Sequence, residues 1–157
     1  MSMQQILSTL RSLDGVLELA PQEGSDSPPV AWGDHFFYWS PDGTVPRAQP
    51  FATLVTKDYP DDTSSDLDPE GRWRLNIHVG RRRMEQLGLG EPADPTAPDV
   101  LRPHPLYARQ GWLCVILPGE RTWPAVMPLL ELAHDDQKRR LSGPLDTACG
   151  SREDRTG

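Results

Sequence analysis

No apolar run in this 157-residue chain approaches the ~18–20 residues of a membrane-spanning helix, and nothing near Met1 resembles a secretory signal. The expected location is cytoplasmic. Cysteine is scarce: Cys114 lies in an apolar run and Cys149 in a polar tail, and they read as two separate thiols rather than a bridge. CxxC, HExxH and a glycine-rich dinucleotide loop are all missing, and no serine sits in a nucleophile elbow. Zinc-finger, zincin, dinucleotide-binding and α/β-hydrolase chemistry therefore have no motif to rest on. Neither a metal nor a cofactor is expected. Positive charge is also short. The net charge of −7 argues against nucleic acid and anionic membrane surfaces as partners. Apolar residues make up only 36%, against 17 prolines, so much of the chain must be loop and the helices few.

What the chain does have is pattern. In the stretch 72–79, Trp73, Leu75, Ile77 and Val79 alternate strictly with Arg72, Arg74, Asn76 and His78. That period of two predicts a strand with one buried face. The other face carries two guanidiniums, an amide and an imidazole about 6.6–7 Å apart. Asparagine is a poor strand residue, so Asn76 needs a further reason for its place. Either the row is an ordinary wet face, or Arg72, Arg74 and Asn76 hold a small anion while His78 moves a proton. The charges around the strand are uneven. Residues 58–70 hold six acids and no base, whereas residues 72–83 hold five arginines and no acid. This split reads either as compensation on the surface or as a local positive site on an acidic body.

Around that strand, residues 3–13 carry a helical apolar stripe that ends at Asp14-Gly15. Strands are predicted at 16–20, 35–39, 51–57 and 112–117, with a short helix over 81–87. Pro103-His104-Pro105 is expected to be rigid and extended. A closing helix over 123–140 contains Pro128, which predicts a kink or a later start. These elements give an α+β fold: a single compact domain over 1–141, with a mostly antiparallel sheet and the N-terminal and C-terminal helices packed on one face. Residues 142–157 read as a disordered polar tail.

Four histidines are present, and no pair has metal-ligand spacing. His78 and His104 are the candidates for acid–base work, with Glu120 or Asp34 available to orient one of them. Lys57, Tyr59 and Tyr107 complete the expected rim as ligand-binding residues.

The strings Trp32-Gly-Asp34, Phe36-Phe-Tyr38, the run from Ala52 to Pro60, Arg72 to Gly80, Pro103-His-Pro105, Gly111-Trp112 and Pro118 to Thr122 resemble an actinobacterial family, domain of unknown function 6194. The resemblance spans roughly residues 3–140. More distantly, the layout is similar to the MmcQ/YjbR-like proteins. That likeness implies a compact α+β fold, a setting beside antibiotic-biosynthesis genes and a double-wing DNA-binding idea. It supplies no catalytic residues. The reading is thus a binder of an anionic metabolite, or a small enzyme of specialised metabolism. The alternative is a non-catalytic interaction or regulatory module using exposed tryptophans and the acidic loop. DNA binding rests only on Arg81-Arg82-Arg83 and the cluster Lys138 to Arg140.

Overall fold

The computed structural model describes residues 2–146. The first helix, α1 (Met3–Arg11), starts on a capping box. Ser2 Oγ accepts the Gln5 amide at 3.2 Å, and Gln5 Oε1 accepts the Ser2 amide at 2.8 Å. Its stripe of Ile6, Leu7 and Leu10 is buried. Six strands follow: β1 (Val16–Leu19), β2 (His35–Trp39), β3 (Ala52–Val55), β4 (Arg74–His78), β5 (Arg102–Pro103) and β6 (Trp112–Ile116). The short helix α2 (Arg81–Leu87) follows β4, and the long helix α3 (Trp123–Asp146) closes the chain.

All strand pairs are antiparallel, and the spatial order is β1-β2-β3-β4-β6-β5. The register explains the alternation read from the sequence. Leu54 opposes Leu75, which opposes Val115; Ala52 opposes Ile77, which opposes Leu113. These residues form one face, and Ile6, Leu7 and Leu10 of α1 with Val126, Leu129, Leu130 and Ala133 of α3 bury it. Each fully buried Leu, Ile or Phe there contributes about 1.5–3 kcal/mol. The α+β architecture, with both terminal helices on one side of the sheet, is as expected.

The ends of several elements differ from expectation. Strand β4 starts at Arg74 rather than Arg72, because the Arg72 amide turns back to the Pro69 carbonyl. Helix α3 runs without a break from Trp123 through Pro128 and on past residue 141 to Asp146. Its start is held by Asp99, whose carboxylate accepts the amides of Gly119 (2.7 Å), Arg121 (3.1 Å) and Thr122 (3.1 Å). Pro124 sits in the first turn, where the missing amide costs nothing. The rest of the expected tail, residues 147–157, lies outside the described residues. Gln137, buried on α3, accepts the Trp39 amide at 2.6 Å and donates to the Gln49 carbonyl at 2.7 Å, tying helix to sheet.

The second face carries Thr53, Val55, Arg74, Asn76, Cys114 and Ile116. It is not open to water. The acidic loop folds back over it, so that Leu67 packs on Val55 and Ile116 in a small second core. The chain between α2 and β6 covers another part. What remains between these two covers is a cavity.

Candidate functional site

Arg74 is the centre of this face, with only 2% of its side chain exposed. Its Nη1 and Nη2 donate to Asp62 Oδ1 and Oδ2 at 3.1 and 2.6 Å, a bidentate pair. Nη1 also donates to Ser65 Oγ at 2.9 Å, and Nε donates to Asn76 Oδ1 at 2.9 Å. Asn76 Nδ2 then donates to Thr53 Oγ1 at 2.9 Å, directly across the β3–β4 register. This chain of bonds explains an asparagine in mid-strand: its amide joins a buried guanidinium to a buried hydroxyl. Burial pushes the Asp62 carboxyl up, but the bonds and charge of Arg74 outweigh it and hold the group below its ordinary range.

His104 lies beside the pair. Its Nδ1 accepts two backbone amides, Leu106 at 3.0 Å and Tyr107 at 3.1 Å. A neutral imidazole that accepts at Nδ1 carries its proton on Nε2. Arg74 Nη2 lies 3.2 Å from Nε2, so that contact sets two donors side by side. The nearest carboxylate oxygen, Asp62 Oδ2, is 4.0 Å from Nε2. Burial first, and the guanidinium second, hold the imidazole down at about 4. His104 is therefore a neutral N–H donor near neutral pH.

Above this floor is a cavity of about 500 Å3. Phe36, Tyr38, Val55, Leu106, Tyr107 and Trp112 form apolar and aromatic walls. Thr53, Asn76, Asp62 and His104 supply the polar floor, and Asp61 stands exposed at the rim. The Tyr107 ring leans on His104, with centroids 4.9 Å apart. Such a space, mostly apolar with a few convergent polar groups, is the usual form of a small-molecule site.

Of the residues expected from sequence, Asn76, Tyr59, Tyr107 and His104 border the cavity, and Arg74 lies beneath them. Three others do not reach it. Arg72 donates to the carbonyls of Asp66, Ser65 and Thr96, holding loops together. Lys57 donates to the Trp32 carbonyl at 2.5 Å and to buried Asp34 at 3.0 Å. His78 Nε2 faces the Gln110 carbonyl at 2.9 Å, and its ring leans on Trp112, outside the cavity lining. Burial holds its imidazole below the ordinary value.

Each of the cations Arg72, Arg74 and Lys57, expected to hold an anion, already has internal acceptors. Of the two histidines expected to move a proton, His78 meets a carbonyl outside the cavity lining and His104 is held as a donor within it. Asp34 orients no histidine. It accepts from Thr56 N (2.8 Å), Thr56 Oγ1 (2.7 Å), Lys57 and the Tyr59 hydroxyl. Burial, then that bond to Asp34, push the Tyr59 phenol up. Glu120 is exposed. No tryptophan is exposed: Trp73 and Trp112 are buried, and Trp32, Trp39 and Trp123 are half-buried.

Sequence reasoning missed Asp62, Ser65 and Thr53. Thr53 carries a weak signal, since it shares a strand face with Val55. Asp62 carries none within its irregular loop. Among the described residues, no group of three or more His, Cys, Asp or Glu side chains is placed to hold a metal ion. Nor is any described helix long and apolar enough to cross a membrane.

Fold and site together define an α+β domain with a polar-floored cavity on the sheet face opposite its helices. The chain belongs to a family of unknown function, DUF6194, whose model matches residues 1–144. The fold is similar to the crystal structure of a protein from Pseudomonas syringae, a structural-genomics target, at 14% identity and a TM-score of 0.54. That likeness covers 87% of this chain and 99% of the other, and it bears on the fold alone. No curated protein matches the chain.

Proposed function

We propose that this protein binds a small molecule in the cavity over Thr53, Asn76 and His104. The observation that carries this reading is a concave space with aromatic walls whose floor is a buried, pre-ordered hydrogen-bond network. The ligand need not be an anion, because the positive groups nearby are already paired with Asp62, Asp34 or backbone carbonyls. A cytoplasmic setting in bacterial specialised metabolism, and the wider likeness to MmcQ/YjbR-like proteins, are part of the same proposal. A binding or carrier role fits better than catalysis, since neither His78 nor His104 is arranged to carry a proton.

The test is a metabolite-library thermal-shift screen on the wild type and on Tyr107→Ala, whose side chain is partly exposed and lines one wall. A true ligand raises the wild-type midpoint and loses most of that shift in the variant. If no compound shifts the wild type, or if all shifts persist in Tyr107→Ala, the cavity is not the binding site.

A further inference from the structure

We propose that the cavity takes an uncharged, planar aromatic ligand that presents a carbonyl-type oxygen to Thr53, Asn76 and His104. This rests on reading the cavity as a small-molecule site and goes on to name the chemistry of its occupant.

Among the residues that border the cavity, Thr53, Asn76 and His104 each keep a donor with no acceptor among the described residues. Thr53 Oγ1 accepts from Asn76, but its own hydroxyl proton has no acceptor. Asn76 Nδ2 has two N–H bonds, and only one is used, on Thr53. The amide is not flipped, because Oδ1 must face the donating Arg74 Nε at 2.9 Å. The third is His104 Nε2–H, fixed there by the two amides on Nδ1; its neighbour at 3.2 Å, Arg74 Nη2, is itself a donor and cannot accept it. Thr53, Asn76 and His104 are 8%, 4% and 5% exposed, and all border the cavity. No protein group takes up these donors, so a ligand oxygen placed among them finds partners already in position.

Charge selects the kind of oxygen. Asp62 is neutralised by Arg74, leaving the floor with no free positive charge. Asp61 at the rim repels an anion. A carboxylate would thus lose its hydration without gaining a counter-charge, whereas a ketone, amide or quinone oxygen needs only the donors. A cationic head would meet donors and find Asp62 already held. The walls favour a flat ring, because Tyr38, Tyr107 and Trp112 present aromatic surface.

The test is the affinity, by isothermal titration calorimetry, of four probes with one body: 2-acetylnaphthalene, 2-ethylnaphthalene, 2-naphthoate and 2-(aminomethyl)naphthalene. In the wild type, the acetyl compound is expected to bind about tenfold tighter than each of the others. Thr53→Val, nearly isosteric, is expected to narrow the acetyl-to-ethyl ratio. Equal affinity of the acetyl and ethyl compounds for the wild type would overturn the inference while leaving a small-molecule cavity in place. So would tightest binding by the naphthoate or the amine. If no probe binds the wild type, or if Tyr107→Ala changes none of the affinities, the cavity reading itself falls. The wild-type series decides the matter even if Thr53→Val does not fold.

Discussion

Arg74 and Asp62 meet through two N–H···O bonds of 3.1 and 2.6 Å beneath the cavity floor. At this one pair the acid-rich loop and the arginine-bearing strand compensate each other inside the protein rather than on its surface. The pair also closes the loop over the sheet, since Ser65 Oγ accepts from the same guanidinium at 2.9 Å.

Removing one partner strands a buried charge. Asp62→Ala is expected to cost about 3–5 kcal/mol of stability in urea denaturation. Replacing both charges, Asp62→Leu with Arg74→Met, is expected to cost clearly less than the sum of the single changes. A loss under about 1 kcal/mol for Asp62→Ala would mean that the pair is effectively solvated.

Acid is expected to weaken the fold in two stages. The unfolded chain protonates His104 near its ordinary 6.5, while the folded chain resists until about 4. The stabilisation is thus complete above pH ~6.5 and withdrawn as pH falls towards ~4, amounting to roughly 3 kcal/mol. Asp62, held low by Arg74, acts in the same direction below the ordinary carboxylate range. Denaturation midpoints between pH ~7 and ~4 measure the first stage. His104→Gln is expected to flatten it, and an unchanged slope would assign the effect to other groups.

Asp99 caps α3 from a left-handed backbone position, φ 56°. Asp99→Ala loses the cap and keeps the backbone strain, so it is expected to cost about 2–3 kcal/mol. Asp99→Gly relieves the strain and is expected to be milder by up to about 1 kcal/mol. Thermal midpoints that rank the two the other way would contradict the capping account.

Gly111 has φ 94°, and an added Cβ would lie 2.5 Å from the Gly80 carbonyl carbon and 2.8 Å from the Arg81 amide nitrogen. Backbone cannot move aside as a side chain can. Gly111→Ala is expected to destabilise by more than about 3 kcal/mol, and Gly43→Ala, strained but in open space, by about 1. Comparable midpoints for the two variants would show that the β4–α2 turn has room to shift.

How much of this was legible in the sequence depended on local pattern. Trp73, Leu75, Ile77 and Val79 announced the buried face of β4 because alternation is a nearest-neighbour signal. The range 35–39 for β2 and 81–87 for α2 was read directly. The fate of the polar face was hidden. Arg74 finds Asp62 across an irregular loop, where no periodicity ties one position to another. The flanking prolines marked the segment around His104 as extended, yet the ring's tautomer depends on the amides of Leu106 and Tyr107, which only the folded turn brings to Nδ1. Residue type alone made Arg72, Arg74 and Lys57 look like an anion site. Their internal acceptors became visible only in three dimensions.

Nuclear magnetic resonance of the labelled wild type, titrated with 2-acetylnaphthalene, reads the cavity floor directly. The Asn76 side-chain amide, the His104 Nε2 resonance and the Trp112 indole are expected to shift together and saturate, while Arg81–Arg83 stay unmoved. Without ligand, His104 is expected to show its proton on Nε2 already. Shifts confined to other surfaces, with Asn76 and His104 unchanged, would contradict binding in the cavity.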